Sequence, residues 1–355
     1  MTRHQDSTAI TRMACAILFI AFTYVYLRFY QADVLAMAQH ILSDGVTSYQ
    51  RDVGAVLLTL ILSLLAWGVY ALTKLKDYTH ALVYFPSFLL LAFITSPNEP
   101  MNHEVSYGSW AWILPLSLGV YILLVIFAKK YGEFFKVGKE DVFHSPVVWI
   151  NLGQILLMFV MVMVMLICNH QDVFHYRMRM ESLMIKGDYR SALRVGRRSL
   201  DTDSSLTMLR IACLEKTDKL GERLFTYPLE GRSAAMQANG TSVRTVMWKD
   251  NRKRHTIDYM LTKFLLDKDI DGFAKRIRKC YQLDSAYVPK HFREALVLYT
   301  HMRGNPSVVY HDNVMDADFQ DYQALAKSFA DSVMRANALR DTYGNTYWYY
   351  YQYAK

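Results

Sequence analysis

Two short segments combine histidine with carboxylate side chains and are the first candidates for chemistry. Neutral imidazole and carboxylate oxygen are ordinary zinc ligands, so such segments could hold a metal ion. The segments are NHE and HQDVFH, and their candidate ligands are His103, Glu104, His170, Asp172 and His175. Neither segment has the fixed ligand spacing of HExxH or CxxC. We therefore expect no metal ion and no other cofactor.

Motifs for covalent catalysis and for phosphate binding are missing from the sequence. There is no GxSxG segment and no cysteine and histidine in one recognisable catalytic context. Gly132, Gly138 and Lys139 do not form a Walker pattern. Cys213 and Cys280 could pair in a soluble domain, but their helix-like apolar surroundings favour two buried thiols. No residue is nominated as catalytic, so an enzyme is the less favoured class.

Two clusters of basic residues could bind an anion. Their candidate contacts are Arg194, Arg197 and Arg198 on or beside one helix, and Arg252, Lys253 and Arg254 in WKDNRKRH. In a cytoplasmic domain such clusters would suggest nucleic acid. Outside the cytoplasm the anions would be lipid headgroups, a glycan or an acidic protein partner. A solvated, salt-bridged face of ordinary helices is an equally good interpretation.

The chain ends in the aromatic segment TYGNTYWYYYQYAK, whose candidate contact residues are Tyr347, Trp348 and Tyr350. Three roles are open for it: a surface on which bases stack, an anchor at a membrane interface, or a plug on the protein itself. The turn sequence TYGNT comes directly after a helix whose apolar face needs covering. This order favours the third role, in which the aromatic rings fold back as a terminal cap on a helical array.

The elements that must position these residues differ between the two halves of the chain. Five apolar runs fall in the first half, each near the ~20 residues that cross ~30 Å of hydrocarbon. They are residues 13–30, 54–73, 79–97, 110–128 and 147–168. The first run lacks a small-residue cleavage site and is expected to stay as a signal anchor. Residues 1–169 are therefore predicted to be a multi-pass transmembrane bundle of about five helices.

The distribution of Lys and Arg predicts the orientation of this bundle, because positive loops are retained in the cytoplasm. The N-terminus and the second and fourth loops carry the basic residues Arg3, Arg12, Lys74, Lys76, Lys129, Lys130, Lys136 and Lys139. An odd number of spans then places residues 170–355 in the periplasm. That placement argues against nucleic acid as a partner. No Asp, Glu, Lys or Arg lies in the middle of a predicted span, which disfavours an ion-coupled transporter.

Residues 170–355 show helical periodicity with charged faces and hold the whole formal net charge of +8. The pattern predicts a helix, a GDY turn at residues 187–189, a second helix through Leu200 and a third from about Ser204. A second helical pair turns at residues 268–271, and a helix follows YVP. Residues 226–250 form a partly helical connection, and a last helix covers residues 316–340. The predicted fold is all-α, with a TPR-like or α-solenoid-like second domain over residues 170–355.

This order of parts resembles an uncharacterised family of Bacteroidota multi-pass membrane proteins with a TPR-like helical tail. The segments that carry the resemblance are KGDYRSALRVG at 186–196, LGERLFTYP at 220–228 and YGNTYWYYYQY at 343–353. The resemblance implies a Gram-negative inner membrane with the tail in the periplasm. It implies no catalytic residue.

We therefore expect a non-enzymatic inner-membrane adaptor or scaffold whose helical domain binds proteins of the cell envelope. Its other expected contacts are membrane lipids. The alternative is a transporter or a membrane enzyme that acts on a lipid-linked or envelope substrate, with the polar loop 98–109 and the His170 region at its mouth.

Overall fold

The computed structural model describes residues 2–97, 105–131, 155–164, 171–236, 257–283 and 287–354. The chain divides into an N-terminal unit, residues 1–175, and a C-terminal unit, residues 176–355. Every regular element in the described ranges is a helix, which confirms the all-α prediction. The predicted domain boundary, between residues 169 and 170, lies outside these ranges.

The N-terminal unit consists of long apolar helices and short connecting ones. Its α-helices are α1 (Thr2–Val25), α2 (Ala32–Leu42), α3 (Arg51–Thr73), α4 (Phe85–Thr95), α5 (Trp110–Tyr131) and α6 (Ile155–Val164). A π-helical stretch, Tyr26–Tyr30, extends α1, and a 3₁₀ helix, Asp77–Tyr84, leads into α4.

Three helices in the described part of the chain are long and apolar enough to cross a membrane. They are Arg12–Tyr30, Arg51–Thr73 and Trp110–Lys130, at the first, second and fourth predicted spans. The third predicted span, residues 79–97, begins as a 3₁₀ helix, and its apolar stretch Thr79–Thr95 is shorter. Of the fifth predicted span, residues 147–168, only Ile155–Val164 is described. Within the described residues, the prediction of membrane-spanning length is therefore confirmed for three of the five runs, and the fifth run stays a prediction.

Helix α2 is an element that the sequence analysis did not predict. Its first turn carries Asp33, which pairs with Arg51 at the start of α3 at 2.5 Å. Val34 and Met37 of this helix are fully buried. The five predicted spans include no helix between residues 30 and 54, whereas one apolar face of Ala32–Leu42 packs inside the unit.

Helices α1 and α3 run antiparallel and are joined by polar contacts near both ends. Arg12 Nη1 donates to the Tyr70 hydroxyl at 2.8 Å, and Arg28 Nε lies 2.6 Å from Asp52 Oδ1. The two arginines are about 24 Å apart along the helix at 1.5 Å per residue. Between these contacts the packing is apolar, so α1 and α3 form an antiparallel helix pair.

Aromatic and apolar side chains fill the space between α1, α3 and α4. The Phe19 ring packs edge-on against Phe88, with ring centroids 5.0 Å apart. The hydroxyl of Ser87, at the start of α4, donates to the backbone carbonyl of Leu62 at 2.8 Å and links α4 to α3. Only 22% of the apolar stretch of α3 and 11% of that of α5 is buried, so both helices present most of their apolar side chains outward.

The C-terminal unit is a compact set of shorter helices. Its α-helices are α7 (Asp172–Ile185, which begins in the N-terminal unit), α8 (Tyr189–Ala192), α9 (Ser204–Lys216), α10 (Leu220–Arg223), α11 (Ile257–Leu266), α12 (Ile270–Cys280), α13 (Lys290–Met302), α14 (Asn313–Ser328), α15 (Ser332–Tyr343) and α16 (Tyr347–Tyr353). Its core is apolar, and the thiol of Cys213 is buried there. Cys213 and Cys280 are both free thiols, and Cys213 is buried as expected, whereas Cys280 is only half-buried.

The predicted turns between these helices are present, and an aspartate caps the helix that follows each turn. Gly187 has a φ of +76° in the GDY turn, and the Asp188 carboxylate accepts from the backbone N–H of Ser191 at 3.0 Å. The Asp269 carboxylate caps α12 in the same way, through Gly272 N–H at 2.8 Å. Both are N-cap hydrogen bonds of the kind that aspartate favours.

The predicted helix through Leu200 is wrong, because α8 ends at Ala192. Gly196 has a φ of +59°, which a helix cannot accommodate, and a Cβ there would lie 2.9 Å from the Tyr176 ring. The chain continues in turns to residue 200. The first helical pair therefore lacks the full second helix of a tetratricopeptide repeat.

The predicted last helix over residues 316–340 is also wrong, because it is divided into α14 and α15. Phe329 is extended, with φ −114° and ψ 118°, between the two helices. Asp331 then accepts from Val333 N–H at 3.1 Å and begins α15. Phe319 and Tyr322, two of the predicted apolar-face residues, are buried as expected.

Candidate functional site

The aromatic end of the chain forms a short helix in the core of the C-terminal unit. Thr346 precedes α16 and its hydroxyl accepts from Tyr349 N–H at 3.3 Å. Tyr347 has no exposed surface, Trp348 is 2% exposed and Tyr350 is 8% exposed. The aromatic rings therefore pack against the protein itself, as favoured. Their burial corrects the expectation that these three residues contact a partner.

The carboxylate of Glu294, in the middle of α13, binds the start of this tail helix. Its Oε2 accepts from Tyr347 N–H at 2.7 Å and lies 2.8 Å from Nδ1 of His291. The indole N–H of Trp348 donates to the backbone carbonyl of Glu294 at 2.8 Å. Lys290 Nζ, one turn away, lies 3.5 Å from Oε1. Glu294 is 1% exposed, so its carboxyl group is bound by groups of the fold and is shielded from solvent.

Sequence reasoning missed Glu294, although a signal was present. The residues KHFRE place a lysine and a histidine four and three positions before the glutamate, so all three lie on one side of a helix. Nothing in that spacing indicates that the acceptor would bind the chain terminus 53 residues later. The Glu–His pair is closed off from solvent, with His291 also fully buried. Its position supports a structural role in holding the tail.

Tyrosine hydroxyls of the tail reach the end of α11. The Tyr350 hydroxyl donates to the carbonyl of Leu266 at 2.8 Å, and the Tyr347 hydroxyl donates to that of Leu265 at 3.4 Å. The last carbonyls of a helix lack partners within the helix, so the Tyr350 bond satisfies a group that would otherwise need water. The Leu265 carbonyl also accepts from the backbone N–H of Lys268 at 3.1 Å. Burial raises the pKa of Tyr350 to about 12 and raises that of Tyr347 well above its ordinary value. Both phenols are therefore neutral donors at physiological pH.

Arg210 is a second buried charge in this unit. Its Nη1 donates to the hydroxyl of Thr202 at 3.1 Å and to the carbonyl of Pro228 at 2.7 Å. The guanidinium carbon also lies 5.3 Å from the centre of the Tyr227 ring. Burial lowers the pKa of Arg210 to about 10. These contacts fasten residues 227–228 to α9, which is again a structural use of a charged group.

The arginine turn, which we define as Arg194, Arg197 and Arg198, is the exposed part of the predicted interaction site. All three side chains are exposed in the turns that follow α8. Arg194 lies near Asp188 and contributes, after the bonds from Ser191, to lowering the pKa of that carboxyl. Leu200 beside the turn is 65% exposed. The surface therefore offers guanidinium groups and an aliphatic side chain to an anionic partner.

Of the other predicted site residues, the structure describes only Asp172 and His175. His103, Glu104, His170, Arg252, Lys253 and Arg254 lie outside the described residues. Asp172 is exposed in the first turn of α7, and the His175 ring lies 4.5 Å from that of Tyr30. Within the described ranges no group of three His, Cys, Asp or Glu side chains could hold a metal ion.

Comparison with known proteins gives one match. Residues 235–354 match the model of a family of unknown function (DUF6057), a segment that covers about one third of the chain and includes α11 to α16. No curated protein and no solved structure matches the chain. The match agrees with the predicted resemblance to an uncharacterised family. It covers the aromatic tail together with Glu294 and the end of α11, which bind it.

Proposed function

We propose that this chain is a non-enzymatic adaptor of a bacterial inner membrane, with its C-terminal unit in the periplasm. Three apolar helices of spanning length support the membrane anchor. The concentration of Lys and Arg in the N-terminus and in the second and fourth loops supports the orientation. The quoted sequence segments support a relationship to Bacteroidota membrane proteins with a TPR-like tail.

The observation that carries the adaptor assignment is the difference between buried and exposed charge in the C-terminal unit. Glu294, His291 and Arg210 are buried and bind other parts of the fold. The arginine turn instead points to solvent. Guanidinium groups bind carboxylates in a bidentate geometry, and such pairs steer association. The partner that this surface suits best is an acidic protein of the cell envelope.

Partner capture from cross-linked membranes tests this proposal. The variant Arg194→Gln/Arg197→Gln/Arg198→Gln is expected to recover about tenfold less of a partner that the unchanged chain captures, because charge-assisted bonds are lost. The matched control is Lys275→Gln/Arg276→Gln/Lys279→Gln, which removes three exposed positive charges from α12. Equal recovery from the arginine-turn variant, or an equal loss in the control, would contradict the proposed surface.

Reporter fusions test the orientation independently. Alkaline phosphatase fused after Lys355 should be active, and a reporter that works only in the cytoplasm should be inactive at the same position. The opposite pattern would place the C-terminal unit in the cytoplasm and remove the argument for an envelope partner.

A second candidate function is binding or processing of a lipid-linked or envelope substrate, which a cavity of about 640 Å³ favours. It lies between α2, α3 and α4, and Tyr49 and Tyr107 line it. The Tyr49 hydroxyl is buried without a hydrogen-bond partner in the described structure. Gly54 lets that ring approach, since a Cβ there would lie 2.3 Å from it. A bound lipid-linked compound in the purified protein, lost in Gly54→Leu, would favour this function over the adaptor.

A further inference from the structure

A separate cavity lies in the N-terminal unit, between α1, α3 and the 3₁₀ helix that precedes α4. Its volume is about 440 Å³, within the range of about 300–1,000 Å³ that is typical of small-molecule sites. Much of its wall is apolar and includes Ala16, Phe19, Ile20, Ala66 and Trp67. A hydrocarbon chain suits such a wall, because no polar group in it would lose a partner.

Side chains with polar groups also line this cavity: Arg12, Ser63, Tyr70, His80 and Tyr84. Of these, Arg12, Tyr70 and His80 lie near one another. Arg12 donates to the Tyr70 hydroxyl at 2.8 Å, and the Tyr70 and His80 rings are 5.2 Å apart. Arg12 begins the apolar stretch of α1, and Tyr70 lies in the last turn of α3. The three groups therefore lie at the level where both helices would leave the hydrocarbon.

The environment of the His80 side chain is independent evidence that this cavity binds a ligand with a polar group. Its side chain is 5% exposed, and its Nδ1 is buried without a hydrogen-bond partner in the described structure. A buried polar atom without a partner destabilises a fold, so native proteins rarely leave one. The His80 ring also hydrogen-bonds to the backbone of Leu75, so its other nitrogen, Nδ1, is left as an acceptor. A headgroup hydroxyl that donates to Nδ1 would give this nitrogen its missing hydrogen bond.

We infer that this cavity binds an anionic phospholipid from the same leaflet, with its phosphate at Arg12 and an acyl chain along the apolar wall. Arginine binds phosphate oxygens in a bidentate geometry, which favours a phosphate headgroup over a neutral one. This site differs from the adaptor surface and does not depend on the orientation of the protein.

Lipid analysis of the full-length protein tests the inference. The protein is purified in a mild detergent from vesicles that contain equal amounts of phosphatidylglycerol and phosphatidylethanolamine, and the retained lipid is identified by mass spectrometry. We expect phosphatidylglycerol to be enriched about tenfold over phosphatidylethanolamine, and Arg12→Gln to abolish the enrichment. Lys76→Gln removes a charge from the same side without touching the cavity and should retain it.

A second pair of variants tests whether the acyl chain occupies the cavity. Ala16→Leu places a larger side chain in the wall and should reduce the retained lipid, whereas Ala71→Leu, on the exposed side of α3, should not. Phosphatidylglycerol, but not inorganic phosphate, should raise the melting temperature of the unchanged protein. Equal retention of both lipids, equal loss in Lys76→Gln and Arg12→Gln, or stabilisation by phosphate alone would overturn the inference.

Discussion

The two units use polar side chains in opposite ways. In the N-terminal unit the ion pairs Arg28–Asp52 and Arg51–Asp33 lie at helix ends, and most apolar side chains of α3 and α5 face outward. In the C-terminal unit Glu294 and Arg210 are buried in the middle, and the arginine turn is on the outside. This difference is expected if the N-terminal unit lies in lipid and the C-terminal unit in water. Apolar side chains can face lipid without a loss of stability, whereas in water the fold is more stable when they are buried.

A buried charged group also has a different structural role from a surface ion pair. Glu294 binds a chain terminus that is distant in sequence, and its removal would leave the Tyr347 N–H and His291 without an acceptor. A surface pair such as Asp271 with Arg303 joins groups that water can solvate instead. The comparison predicts that the C-terminal unit depends on a few polar contacts, whereas the N-terminal unit depends on its apolar packing.

The largest expected effect comes from removing the tail. A chain that ends at Tyr343 loses three buried rings, each worth about 3–5 kcal/mol, against a total of about 5–15 kcal/mol for a domain. The C-terminal unit should then be digested by a protease under conditions in which the full chain is intact. A chain that ends at Ala354 is the control. Equal resistance of the two truncated chains would show that the tail is dispensable.

The next largest effect is expected from Glu294→Ala. It leaves two buried donors unpaired and should destabilise the C-terminal unit by about 3–5 kcal/mol, as read from urea unfolding of the full chain in detergent. Glu294→Gln retains an acceptor oxygen and should lower the free energy of unfolding by less. Asp271→Asn, which changes an exposed ion pair, should leave the urea concentration at the midpoint of unfolding unchanged. If Glu294→Ala behaved like Asp271→Asn, the buried carboxylate would not be holding the tail.

A smaller effect on the stability of the C-terminal unit is expected from the ionisation of Tyr350 at alkaline pH. Tyr350 has a pKa of about 12 in the fold and about 10 when unfolded, so the folded state retains its proton longer. The resulting stability is complete below pH 10 and falls above it, by about 1.4 kcal/mol per pH unit, until the folded pKa is reached. Tyr350→Phe should flatten this decline in melting temperature. An unchanged slope in the variant would mean that Tyr350 is exposed to solvent.

The smallest effect is expected in the N-terminal unit. Ser87→Ala removes the hydroxyl that donates to Leu62, and polar contacts between membrane helices contribute about 0.6 kcal/mol on average. Unfolding of the full chain in detergent should therefore change much less than for Glu294→Ala. A loss as large as that of Glu294→Ala would remove the distinction between the two units.

Much of the fold follows from local sequence patterns. The GDY turn and the long apolar helices are specified by neighbouring residues, and both were predicted from the sequence. The early end of α8 is followed by Gly196, which has a positive φ and lies against the Tyr176 ring, so a residue with a Cβ does not fit there. The break at Phe329 depends on the Asp331 cap that begins the next helix. Each of these two breaks involves a single residue within a segment that otherwise has a strong helical pattern. The pattern therefore predicted helices that are longer than the observed ones.

The candidate sites were less predictable because they depend on distant parts of the chain. The aromatic tail was recognised as a cap, but its acceptors on Glu294 and on the end of α11 are 53 to 84 residues away. The cavity beside Arg12 forms only when α1 and α3 pair antiparallel, and no spacing within either helix indicates it. The arginine turn was predicted because exposure of a charge cluster is a local property.

Hydrogen exchange tests most directly whether the aromatic tail is part of the core of the C-terminal unit. In the full-length protein, mass spectrometry can compare the peptide 347–354 with the buried helix α13 and with the exposed residues 194–200. Because Tyr347 N–H is bound to Glu294 and the rings around it are buried, the tail peptide should exchange as slowly as α13. Exchange as fast as that of residues 194–200 would show that the aromatic end of the chain is not part of the core.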